Sequence, residues 1–132
     1  MPTTTAMTNN LESALINLVL QGSITHPYSY GPITHIGILS AAGSDSSQTQ
    51  MSGSSRTPIT FQVSSSGGAV TNTGAVSFTN SGWSSTSVYG VGFYDAISSG
   101  NCLLYGNFDS VVTVAAGQSL QFNIGGITIS MD

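Results

Sequence analysis

The stretch YGVGFYDAISSGNCLLYG, from Tyr89 to Gly106, decides the fold class of this chain. Its apolar segments, 89–94 and 101–105, are separated by a short Ser- and Gly-containing segment, which is typical of two strands joined by a turn. Asp95 is placed to accept hydrogen bonds from backbone amides of its own turn. Gly100 permits the positive φ that such a turn needs. The stretch therefore predicts an antiparallel hairpin in which Asp95 is a turn former rather than a catalytic acid.

The same pattern of short apolar segments continues through most of the chain after Gly22. Alternating or β-rich segments separated by Gly, Ser and Asn are found at 33–40, 59–63, 69–71, 76–78, 111–114, 120–124 and 127–131. Residues 41–57 are rich in Ser, Gly and Gln and are predicted to form a loop. About eight short strands without intervening helices indicate an all-β, antiparallel sandwich of jelly-roll-like type. Gly125-Gly126 either closes a two-residue hairpin or bends one strand between two sheets, and we favour the bend.

One short helix is predicted near the N-terminus, over residues 11–21. Apolar residues recur there at i, i+4, i+7 and i+8, beginning at Leu11, and Gly22 follows where a helix commonly stops. Ile16 and Leu20 widen the apolar stripe, which predicts that the helix also contacts a neighbouring subunit. The alternative is a helix that only closes one end of the sandwich. Residues 1–10 are predicted to be an arm that orders against a partner, and 11–132 a single domain.

The composition excludes several classes of function. Only 5% of the residues are charged, the formal net charge is −4, and Arg56 is the single cation. Binding to nucleic acid or to an anionic membrane surface needs several Lys or Arg, so neither partner is expected. The single Cys102 cannot form an internal disulfide, and no signal peptide is recognised, so folding in a cytoplasm is expected. A surface this poor in charge favours self-association, although a monomer with a hydroxyl-rich surface fits the composition too.

The sequence points to no catalytic, cofactor-binding or metal-binding residues. A Ser-His-Asp hydrolase needs His26 or His35 with Asp95 or Asp109, but no Gly-x-Ser-x-Gly elbow is present. His35 lies within an apolar segment and is interpreted as a residue of the sheet. The His, Cys and Asp residues show no metal-ligand spacing.

Binding to carbohydrate is the strongest alternative to a purely structural role. Trp83, Tyr28 and Tyr30 are aromatic residues with Ser and Asn in the neighbouring sequence, which suits contacts with a glycan. A large aromatic residue such as Trp83 is nevertheless more often a packing residue than a sugar platform.

The order of motifs around the opening stretch resembles a family of small tailed-bacteriophage virion proteins that are usually labelled tail fibre proteins. The matching motifs are Trp83, Val91–Ala96, Gly100-Asn101 and Leu103–Gly106, followed downstream by Val111–Val114, Ala116-Gly117, Leu120–Phe122 and Gly125–Asp132. Upstream, Leu11–Gly22, Ser52-Gly53, Arg56 and Pro58–Phe61 match in the same order. The resemblance spans nearly the whole chain, and it departs from the family pattern between Ile24 and Gln50.

The resemblance implies a non-enzymatic structural protein of the virion, assembled in the host cytoplasm and working without a cofactor. Because the chain is short, we expect a capsid decoration (cement) subunit; the alternative is a tail fibre or baseplate subunit that also contacts host glycans. The expected partners are further copies of the chain, as a dimer or trimer, together with the major capsid protein or tail proteins. Arg56 is expected to pair with a carboxylate, within the chain or across an interface.

Overall fold

The computed structural model describes residues 3–9, 32–63 and 69–130, and these residues form ten strands. The strands are β1 (Thr3–Met7), β2 (His35–Leu39), β3 (Thr57–Pro58), β4 (Phe61–Val63), β5 (Ala69–Asn72), β6 (Val76–Thr79), β7 (Ser87–Tyr94), β8 (Cys102–Thr113), β9 (Ser119–Phe122) and β10 (Thr128–Ser130). Every strand pair among them is antiparallel. The predicted antiparallel all-β class is thus confirmed. Its jelly-roll-like subdivision stays a prediction, and the predicted helix 11–21 lies outside the described residues.

The strands form one large sheet and two small ones. The large sheet has the order β1-β8-β7-β2-β3, and the small sheets are β10-β5-β4 and β6-β9. Phe61 of β4 packs on Phe93 of β7 with ring centroids 6.1 Å apart, and Phe108 of β8 packs on Phe122 of β9 at 6.2 Å. These contacts join both small sheets to the large one. The buried core lies between them and includes Ile36, Ile38, Val76, Phe78, Val91, Phe93, Leu120 and Phe122.

The predicted hairpin is present, but its second strand is longer than expected. Of the segments 101–105 and 111–114, predicted to be separate, residues 102–105 and 111–113 belong to the single twelve-residue strand β8. The pairing of β7 with β8 shifts register between Val88 and Gly90, where Val88 faces Val112 but Gly90 faces Asn107. Extra residues of β8 are accommodated at this irregularity, so the strand continues through a stretch whose alternation is broken.

The predicted arm, 1–10, contains β1, which pairs along β8 of the same chain from Thr3 opposite Phe108 to Met7 opposite Leu104. β1 and β8 are thus about a hundred residues apart in the sequence, so their pairing is a long-range contact. The bounds of the arm and of the single domain stay predictions.

A turn connects the last two strands, and the Gly126 amide donates to the Asn123 carbonyl at 2.8 Å within it. The segment is therefore neither a two-residue hairpin nor the favoured bend within one continuous strand. β9 pairs with β6, whereas β10 pairs with β5, so the chain passes from one small sheet to the other. Gly125 has φ +73°, and its amide donates to the Asn72 carbonyl at 3.0 Å. A residue with a side chain is strained at this φ, which explains a glycine at this position.

Candidate binding site

The turn between β7 and β8 is built around Asp95, as the sequence predicts. One carboxylate oxygen, Oδ1, accepts the Asn101 backbone N–H at 2.7 Å, and Oδ2 accepts the Asn101 side-chain amide at 3.1 Å. Gly100 has φ +67°, and a Cβ there would lie 2.5 Å from Asp95 Oδ1. The turn therefore needs both the carboxylate and the glycine, and Asp95 has a structural task.

Beside this turn, the ring of Tyr94 packs against two glycines. Gly37 of β2 and Gly92 of β7 are directly paired. A Cβ at Gly92 would approach the Tyr94 side chain to 2.9 Å, and a Cβ at Gly37 would approach it to 3.1 Å. Because glycine has no side chain, this face of β2 and β7 has room for the ring of Tyr94, which is buried there.

The guanidinium of Arg56 covers the other side of the Tyr94 ring. Its Cζ lies 3.6 Å from the ring centroid, a cation–π contact. Nη1 donates to the carbonyls of Ala96 at 2.8 Å and Ser99 at 2.7 Å, and Nε donates to Gln50 Oε1 at 3.0 Å. Arg56 therefore joins the 41–57 loop to the β7–β8 turn through neutral acceptors. No carboxylate partner for it is present in the described part of the chain.

Two concave surfaces flank residues Ser54 and Ser55. The first, which we call the Arg56 cleft, has a volume of about 450 Å³ and is lined by Gln50, Ser54, Ser55, Arg56, Ile97, Ser98 and Ser99. The second, the Trp83 groove, has a volume of about 150 Å³ and is lined by Gly53, Ser54, Ser55, Thr57, Ser77, Phe78, Thr79, Ser81 and Trp83. Because Ser54 and Ser55 line both, the cleft and the groove adjoin.

A buried asparagine holds the loop that carries Trp83. Asn80 Oδ1 accepts the backbone N–H groups of Gly82 at 3.2 Å and Trp83 at 3.0 Å, while its Nδ2 donates to the Val114 carbonyl at 2.8 Å. Gly53 also packs closely here, since a Cβ on it would lie 2.5 Å from the Gly82 carbonyl oxygen. Trp83 is half-buried and packs partly on the core, so it serves both the core and the groove.

The buried Tyr94 hydroxyl and the half-buried Cys102 thiol both have raised pKa values. The Tyr94 hydroxyl is buried without a hydrogen-bond partner among the described residues, and burial raises the pKa of Tyr94 above its ordinary value. Burial also raises the pKa of the Cys102 thiol to about 11, and Sγ lies 3.2 Å from the Leu104 carbonyl oxygen, to which it donates. Neither group is suited to act as a nucleophile at neutral pH.

We predict that Cys102 of the folded protein reacts slowly with iodoacetamide. Its pKa is raised from 9.0 to about 11, so at pH 8 its thiolate fraction, and with it the alkylation rate, falls about a hundredfold below that of an exposed thiol. The rate is measured by mass spectrometry on the native protein and, as a control, on the same chain in urea. Equal rates in the two states would contradict the placement of Cys102.

The structure brings together two of the residues that the sequence singled out. Arg56 and Trp83 lie on adjoining concave surfaces, whereas Ile16, Leu20, Tyr28 and Tyr30 lie outside the described residues. His35 is a residue of the sheet, with Nδ1 2.8 Å from Thr34 Oγ1, and His26 is outside the described ranges. Sequence reasoning missed Ser54 and Ser55, which join the two surfaces; their position next to the only Arg was the one available signal.

Neither a metal cluster nor a spanning helix is found in the parts of the chain that the structure describes. Over residues 3–9, 32–63 and 69–130, no group of three or more His, Cys, Asp or Glu is arranged to hold a metal ion. None of these residues belongs to a helix long and apolar enough to cross a membrane.

Comparison with known proteins identifies the family. Residues 6–130 match the family model described as podophage GP4 fiber I protein gp80. No curated protein matches the chain. The match covers nearly all of the 132 residues, and it confirms the resemblance to tailed-phage virion proteins labelled tail fibre proteins. The chain belongs to the podophage GP4 fiber I protein gp80 family.

Proposed function

We propose that the protein is a non-enzymatic subunit of a podophage tail fibre, which works through protein–protein contacts within a symmetric oligomer. The observation that carries this proposal is the family match over residues 6–130. A fibre family is one of structural phage components, so the chain is a component of the virion. The description fits the tail fibre alternative more closely than the capsid decoration role that we expected from the short chain.

The fold suits a role in binding rather than catalysis. The ten antiparallel strands of the described residues make a stiff body. In this part of the chain, Arg56 holds the β7–β8 turn through hydrogen bonds to neutral carbonyls. Contacts made by neutral loops avoid the desolvation cost of burying charged groups at a subunit interface. Further copies of the chain and other tail proteins are therefore the partners that we propose.

The location on the particle is tested by gold labelling of purified virions with an antibody raised against the folded protein, or by a reconstruction of the particle. We expect the protein on the tail. Density or label over the capsid shell would instead support the decoration role, and absence from the mature particle would contradict both.

Self-association is tested by light scattering on the purified chain. We expect a dimer or trimer, because little charge repulsion opposes association. A strict monomer at high concentration, or turnover of ester or glycan substrates, would count against the proposed function.

A further inference from the structure

We propose that the Trp83 groove and the Arg56 cleft together form a binding site for a carboxylated glycan. This inference goes beyond the assembly role proposed above and does not depend on where the protein sits on the particle. It rests on three features of the site: its cation, its hydroxyl lining and its aromatic end.

Arg56 is a cation with unused donor capacity. Its Nε and Nη1 groups donate to Gln50, Ala96 and Ser99, but the N–H groups of Nη2 have no acceptor among the described residues. The guanidinium is half-buried over Tyr94 and has no carboxylate partner in the described parts of the chain. A partly desolvated cation is stabilised by a charge-assisted hydrogen bond to an anion. A carboxylate oxygen that accepts from Nη2 would provide this bond without disturbing the turn that Nη1 holds.

The rest of the lining suits a sugar better than a peptide carboxylate. Most residues that line the two surfaces are Ser or Thr, namely Ser54, Ser55, Thr57, Ser77, Thr79, Ser81, Ser98 and Ser99. The hydroxyls of Ser54, Thr57 and Thr79 also form hydrogen bonds within the chain. A hydroxyl both donates and accepts, which matches the hydroxyl groups of a sugar ring. The half-buried Trp83 lines one end of the site, next to these hydroxyl-bearing residues, and the exposed Ile97 at the other end offers an apolar contact to a sugar ring.

Because the Trp83 groove and the Arg56 cleft adjoin, we expect the ligand to have more than one sugar unit. Ser54 and Ser55 separate the groove from the cleft and line both. A ring against Trp83 and a carboxylate at Arg56 are therefore contacts of neighbouring units of one oligosaccharide. The net charge of −4 opposes binding of a polyanion at long range, so the preference for acid should arise locally at Arg56.

The test is a fluorescence titration of the purified chain with a short galacturonate oligomer and, as a matched control, with its methyl ester. Trp83 is the only tryptophan, so its fluorescence reports on the groove directly. At about 0.15 M salt we expect saturable binding of the acid that is about five- to tenfold tighter than that of the ester. Equal affinities for acid and ester, or no fluorescence change, would overturn the proposal.

The Arg56→Gln variant tests whether the preference for the acid over the ester comes from the guanidinium of Arg56. We expect it to bind acid and ester alike, while Arg56→Lys, which keeps the charge, retains part of the preference for acid. A folded Arg56→Gln protein that still prefers the acid would overturn the proposal. A third result would also overturn it: the wild type binds acid and ester equally, and Arg56→Gln dissociates an oligomer. Arg56 would then contact a neighbouring subunit rather than a glycan. The comparison of acid with ester in the wild type does not depend on how the variants fold, and particle labelling tests the fibre role independently.

Discussion

Replacing Gly90 with alanine is expected to lower the free energy of unfolding by about 3 kcal/mol or more. A Cβ at this position would lie 2.2 Å from the Gly106 carbonyl oxygen and 3.0 Å from Asn107 Cα. Both atoms belong to the backbone of β8, which is paired with β1 on one side and β7 on the other. The clash therefore cannot be relieved by rotating a side chain, and the strands at the centre of the large sheet must separate instead.

The matched control is Gly74→Ala. A Cβ at Gly74 has no atom within 4 Å, and Gly74 is not among the glycines with positive φ. We expect this change to cost no more than about 0.5 kcal/mol. Urea unfolding, followed by the fluorescence of Trp83, measures both variants. A Gly90→Ala protein within about 1 kcal/mol of the wild type would show that the strands of the large sheet yield more easily than backbone packing allows.

Changing Asn72 to aspartate is expected to destabilise the protein by about 3–5 kcal/mol at neutral pH. The Asn72 side chain is fully buried; its Nδ2 donates to the carbonyls of Gly74 at 2.7 Å and Asn123 at 3.0 Å, and its Oδ1 accepts the Ile127 N–H at 2.9 Å. Aspartate keeps the acceptor but loses both donors, so a buried negative charge would face two carbonyl oxygens. The residues after β9 and the start of β10 depend on these bonds, and we expect the loss to loosen them first.

Asn123→Asp is the matched control, because it makes the same chemical change at an exposed side chain. Its Oδ1 only accepts a long hydrogen bond of 3.4 Å from Gln121, which a carboxylate can also accept. We expect an effect within about 0.5 kcal/mol, measured by the same urea unfolding. Hydrogen exchange adds a local test: amides near Ile127 should lose protection in Asn72→Asp. Similar costs for the two variants would contradict the role of the Asn72 side chain.

Much of the candidate site could not be predicted from the sequence, because the residues that form it are far apart along the chain. Arg56 was singled out as the single cation and Trp83 as an aromatic residue with Ser and Asn nearby, and nothing in the sequence placed the two together. Arg56 donates to carbonyls forty and forty-three residues away, which are backbone groups and carry no sequence signal. Among the described residues Arg56 contacts neutral acceptors and the Tyr94 ring, and a carboxylate partner across an interface stays a prediction.

The sequence by itself determined the local structure of the strands and of the β7–β8 turn. Strands such as β6 and β9 alternate between buried and exposed residues because one face of each meets the core, and Asp95 and Gly100 act within their own turn. Only the tertiary structure decided which strands pair and that β1 lies along β8. Backbone hydrogen bonds are the same for every strand, so the choice of partner depends on packing between distant residues, such as Phe61 with Phe93 and Gly90 with Gly106.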